Sequence, residues 1–162
     1  MSLHAEARSL LQGWSAPDAG QEALRRRYVA HLAADPDAAD RGCRPDHLTA
    51  GALVVSADHR EVLLTLHAKA GRWFQLGGHC EPADRSLAQA ALREATEESG
   101  VAGLVHHLDV RFVAVAPAGA VPTVSAESTD VRWWPVDALP EPDDGLVARA
   151  LERLTAQSTS DS

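Results

Sequence analysis

Three glutamates within five residues, Glu94, Glu97 and Glu98, carry the chemistry that structure alone explains worst. On a helix they fall at i, i+3 and i+4, so their side chains share one face. Two carboxylates about 5 Å apart at an effective dielectric of about 20 repel by roughly 3 kcal/mol. Ser99-Gly100 follows them, which sets all three beside the negative end of the helix dipole, where acids are again disfavoured. A hard divalent cation reconciles these placements. Magnesium or manganese takes oxygen ligands, and carboxylates at i and i+4 can converge on one ion. The Gly77-Gly78 pair ahead of the helix lets backbone approach closely, so a carbonyl there can complete the shell. Arg93 lies about 100° round the helix from Glu94, from where it can reach back and fix a carboxylate.

An acidic helix end taken alone is usually a solvated surface, so the longer string decides. Gly77 to Val101 reads GGHCEPADRSLAQAALREATEESGV. It resembles the Nudix box, whose pattern is G-x5-E-x7-R-E-U-x-E-E-x-G-U with U aliphatic. Gly78, Arg93, Glu94, Glu97, Glu98, Gly100 and Val101 stand at matching positions. Asp84 stands where the first glutamate is expected, one extra residue lies between it and Arg93, Ala95 fills an aliphatic position weakly, and Leu76 replaces a common proline. None of these removes a metal ligand. The resemblance extends to VLLTLHAKAGRWFQLGG before the box and STDVRWWPVDALP after it, roughly Leu48 to Pro140.

That resemblance implies Glu94 and Glu98 as principal metal ligands, Glu97 as a direct or water-bridged one, and Gly78 through its carbonyl. It implies magnesium, with manganese as a substitute, and a metal-activated water attacking phosphorus. The general base would be Glu94 or a carboxylate on a later loop, for which Glu127 is the candidate and Asp130 the competitor. Arg93 would orient the carboxylates. For substrate, Arg111 (in the cluster His106, His107, Asp109, Arg111) and the loop residues Lys69 and Arg72 are candidates for phosphate. Trp133 and Trp134 point to opposite faces of a regular strand; one belongs to the core, and Trp134 is the candidate to stack on a base. His79 beside Cys80 lacks zinc-ligand spacing, and Cys80 reads as a small buried residue.

The elements that must position these groups follow from periodicity. Leu3, Ala7, Leu10, Leu11 and Trp14 predict a first helix; a second runs from about Ala19 to Ala34, broken by Asp35-Pro36. Leu48–Ser56 and Glu61–His67 read as strands around a turn, with a short strand at Trp73–Leu76. The acidic helix spans Ser86–Ser99, with Ser86 and Gln89 as a capping box and Gly100 past its end. Val110–Ala116 and Val131–Val136 are further strands, and Leu146–Ala156 a closing helix. An antiparallel hairpin after Gly100 has little room before Val110. The expected fold is α+β, a Nudix-type α/β/α sandwich with a mixed β-sheet and an N-terminal helical extension. Residues 1–47 form the extension, 48–156 the Nudix hydrolase domain and 157–162 a disordered tail.

Composition narrows the function. The chain has 162 residues, enough for one domain with a core, and a formal net charge of −8 that argues against a nucleic-acid polymer as partner. A small phosphorylated substrate stays compatible, because a metal ion mediates between two anions. Two cysteines, Cys43 and Cys80, no signal-peptide pattern and no long apolar run predict a cytoplasmic protein without a membrane partner. The expected activity is magnesium-dependent hydrolysis of a pyrophosphate bond in a nucleoside diphosphate linked to another moiety. The alternative is a non-catalytic Nudix domain that senses a nucleotide. Residues 1–47 carry no motif and are expected to serve a homodimer interface or a lid.

Overall fold

The first two helices form where the sequence caps them. In the computed structural model, which describes residues 1–101, 105–107, 111–126, 128–142 and 145–160 (backbone alone for 105–107 and 158–160), helix α1 spans Leu3–Gly13 and α2 spans Ala19–Ala34. Ser2 Oγ accepts the Ala5 N–H at 3.3 Å, and Asp18 Oδ1 accepts that of Gln21 at 2.8 Å. Both helix limits agree with the periodicity to within a residue.

The chain divides into two compact units: residues 1–50 with 78–90, and residues 51–77 with 91–162. Residues 78–90 thus cluster with the N-terminal helices. Polar contacts tie the two helices of the first unit. His4 Nε2 donates to the Leu32 carbonyl at 2.7 Å, and Arg25 donates to the Leu11 carbonyl at 3.1 Å. Glu22 accepts from both Arg25 and Arg26, which holds its carboxyl down at about 2. Ala7, Leu11 and Leu32 are its fully buried apolar side chains from the two helices.

Strands β1 (Thr49–Val55), β2 (Glu61–His67), β3 (Arg72–Phe74), β4 (Leu76–His79), β5 (Val105–His107), β6 (Phe112–Val115) and β7 (Ser128–Pro135) form one sheet among the described residues. The order is β3-β2-β1-β6-β5, with β4 also on β1 and β7 also on β2. Pairing is antiparallel except between β1 and β6, which run parallel. A parallel pair needs a crossover, and helix α3 (Leu87–Ser99) lies between these strands in sequence. Helix α4 (Leu146–Ser160) closes the chain. It lays Leu146, Val147, Ala150 and Leu154 on Leu53, Val55, Val62, Leu64 and Val113, with Trp73 and Trp134 at the margin. The alternate residues of these strands, Ala52, Val54, Leu63 and Ala114, are buried too, so both sheet faces are covered. The architecture is α+β with a mixed sheet and an N-terminal helical extension. No helix among the described residues is long and apolar enough to cross a membrane.

Two details differ from the sequence reading, and one that looked cramped is met. The short strand expected at Trp73–Leu76 is two, and β4 continues through Gly77 and Gly78. Gly51 eases this pairing: a Cβ there would meet the Leu76 carbonyl at 3.1 Å, so β4 packs tightly on β1 where a side chain would crowd it. The hairpin that had little room is present, with Val105 opposite Val115 and His107 opposite Val113. The closing helix runs on through 157–160, part of the stretch read as a frayed tail.

Candidate active site on helix α3

Helix α3 carries the site, and both its ends are tied. At the start, Ser86 Oγ accepts the Gln89 N–H at 3.0 Å, and Gln89 Oε1 accepts that of Arg85, one residue earlier than a capping box would have it. The Leu87 N–H is satisfied from 81 residues away, by Glu6 Oε2 of α1 at 3.0 Å. A carboxylate there also complements the positive end of the helix dipole. Sequence reasoning missed Glu6, since nothing local marks so distant a cap.

Just before the helix, Asp84 is 5% exposed, and Asp84 Oδ2 accepts the Glu81 N–H at 2.8 Å while its own N–H goes back to the Glu81 carbonyl. The residue standing at the first glutamate position thus shapes the loop into α3. At the far end, Gly100 takes φ +68°, and a Cβ there would sit 3.0 Å from Thr123 Cβ. The Thr123 N–H donates to the Ser99 carbonyl at 2.5 Å. The last turn of α3 and the loop before β7 are therefore joined.

Ala90, Ala91, Ala95 and Ser99 form the buried stripe of α3, which leaves the acids at its margin. The Glu94 side chain is 14% exposed and that of Glu97 60%. Arg93 Nη1 donates to Glu94 Oε1 and to Glu97 Oε2, each at 3.0 Å, reaching back as its helix position allows. Glu98 Oε2 accepts the Gly77 N–H at 2.9 Å. Carboxylates grouped in one turn are thus balanced by a guanidinium and a backbone donor. Among the described residues no three His, Cys, Asp or Glu side chains converge closely enough to hold a metal ion. Glu97 leans on Arg93 and Glu98 on Gly77. The donor set itself is all-oxygen and acidic, which suits magnesium or manganese.

The remaining candidates are scattered. Arg111 is exposed ahead of β6; Asp109 lies outside the described residues, as do the side chains of His106 and His107. Lys69 is exposed on the β2–β3 turn. Arg72 is exposed and pairs with Glu141 at 3.2 Å. Glu127 lies outside the described residues. Asp130 pairs with Arg132. The two tryptophans do face opposite ways. Trp134 packs on the α4 core, edge-to-face with Trp73 at 5.2 Å and under the Arg132 guanidinium, while Trp133 Nε1 donates to the Ala120 carbonyl at 3.2 Å. Trp134 is thus the core member of the pair.

These features find their relatives in one family. The family model of the NUDIX domain matches residues 45–154, and the chain belongs to the Nudix family. At that level it is a Nudix-type pyrophosphohydrolase. Among solved structures, the NUDIX domain of Shewanella oneidensis NrtR complexed with ADP ribose is 26% identical, covering 80% of this chain and 97% of that one at a TM-score of 0.52. A C. elegans Ap4A hydrolase is 20% identical, covering 68% and 99% at 0.53. A NUDIX-family hydrolase from Clostridium perfringens is 21% identical, covering 67% and 96% at 0.50. The last two share the fold. No curated protein sequence matches the chain.

Proposed function

We propose that this chain hydrolyses a pyrophosphate bond in a nucleoside diphosphate linked to another moiety, with magnesium, water attacking phosphorus. The observation that carries the reading is the pairing of Arg93 with both Glu94 and Glu97 in the last turns of α3, with Glu98 one residue on accepting the Gly77 N–H. The oxygen donors that would hold the cation are these three carboxylates and the Gly78 carbonyl. A bound divalent ion supplies charge neutralisation for the diphosphate and a more acidic water. Arg93 holds Glu94 and Glu97 in place, and Glu94 or Glu127 takes the proton from the attacking water, with Asp130 as the competing base. Lys69 and Arg111 are the cations offered to phosphate. The likeness to a domain complexed with ADP ribose supports a nucleoside diphosphate derivative as ligand. It equally fits a domain that binds such a ligand without cleaving it, and turnover separates the two.

The domain reading stands alongside: 1–47 as extension, 48–156 as the hydrolase, with a second copy of the chain as a partner for the extension. The test is the Glu98→Gln variant, assayed with magnesium against nucleotide sugars and dinucleotides. Phosphate-bond cleavage should fall by orders of magnitude while the fold is kept. Near-normal turnover would refute the metal role.

A further inference from the structure

With Trp134 packed on the α4 core, the aromatic to weigh for the base of a nucleotide-type substrate, among the described residues, is Phe74. The residue is 40% exposed, the one aromatic among the exposed large hydrophobics of the described residues. It lies on the sheet face away from α4. Trp73 and Leu66 pair and point to the α4 side, whereas Phe74 pairs with Thr65 and Arg72 with His67 on the other. Two neighbours fix it. The His67 ring meets it edge-on at 6.1 Å and 86°, and the Arg72 guanidinium, itself paired with Glu141, lies 5.9 Å from its centroid. An exposed aromatic ring braced by a cation and a second ring is the kind of surface that a flat heterocycle stacks on.

Its place in the chain matters as much. Two residues, Gln75 and Leu76, separate Phe74 from Gly77, whose N–H binds Glu98, a reach of at most roughly 10 Å over three steps of about 3.3 Å. A nucleoside spans a distance of this order between its base and its 5′-phosphate. We infer that Phe74, braced by His67 and Arg72, is the stacking platform for the base of the substrate, which sets the base on β3 and the diphosphate at α3. Arg72 then serves the base end of the ligand, by fixing the ring, and not its phosphates. This inference rests on the proposed nucleoside diphosphate substrate.

The test compares wild type with Phe74→Ala and Phe74→Tyr, using ADP-ribose and a dialkyl pyrophosphate that has the anhydride and no base. Phe74→Ala should raise KM for ADP-ribose about ten- to hundredfold and leave kcat unchanged. Phe74→Tyr should restore it, and KM for the base-free compound should not move. An unchanged KM, or an equal rise for both compounds, overturns the platform. Calorimetric titration of ADP-ribose without turnover reads the same contact. Loss of affinity in Phe74→Ala with no cleavage by wild type would keep the platform and remove the hydrolysis; equal affinity of the two proteins overturns the platform.

Discussion

Helices α3 and α4 have 13 and 15 residues and bury different kinds of surface. The inward stripe of α4 is built from Leu146, Val147, Ala150 and Leu154, whereas α3 buries Ala90, Ala91, Ala95 and Ser99 after a single Leu87. Burying a leucine yields about 1.5–3 kcal/mol, and alanine far less, so α4 contributes hydrophobic stability that α3 cannot match. Instead α3 is held at its ends: by Ser86 and Glu6 at the start, and by Gly77 and Thr123 near the finish. A helix that must gather acids at its margin gains its place through hydrogen bonds at the termini. One helix glues; the other works.

The largest expected effect tests that division. Glu98→Gln should lower kcat roughly a thousandfold, about 4 kcal/mol of barrier, with a melting temperature close to wild type. A matching loss of stability would show that α3 is glue as well. Leu154→Ala should do the reverse. It removes a 3%-exposed side chain at a cost of about 3 kcal/mol, read as a fall in melting temperature of roughly 6–12 °C, with kcat per folded molecule kept. Magnesium at a hundredfold excess over its dissociation constant should then stabilise the wild type by about 2.7 kcal/mol. The same ion should leave the melting of Glu98→Gln nearly unmoved; an equal shift in both proteins would place the ion elsewhere. The smallest effect is Glu6→Ala, about 1 kcal/mol as for other lost caps. It should show as faster amide exchange at Leu87, and Glu6→Asp or Glu6→Gln should recover part of it. Exchange unchanged at Leu87 would mean that water replaces the carboxylate without loss.

What the sequence revealed was local. The limits of α2, β2 and α3 follow from caps, breakers and alternation within a few residues, and the resemblance to the Nudix box located the acids on their helix. What it hid depends on partners distant in sequence. Gly77-Gly78 reads as a break by itself and is strand in the fold, on a β1 partner that carries the bare Gly51 close to Leu76. Which tryptophan faces the core depends on which side α4 covers. Phe74 passes for an ordinary strand residue until Trp73 claims the inward side. The capping role of Glu6 spans 81 positions, and a pattern read in short windows has no means of registering it. The roles of Glu127 and Arg111 rest on the resemblance and on assay.

The connection between Ser99 and Thr123 is made by a main-chain N–H and a main-chain carbonyl, across a residue with no side chain. Such a suture is indifferent to which side chains the loop carries, provided that position 123 keeps its amide hydrogen and position 100 stays bare. Val121 and Val124, 80% and 47% exposed on that loop, are therefore free to drift. Natural variation or directed evolution can retune what the loop touches there while the acids of the helix keep their places.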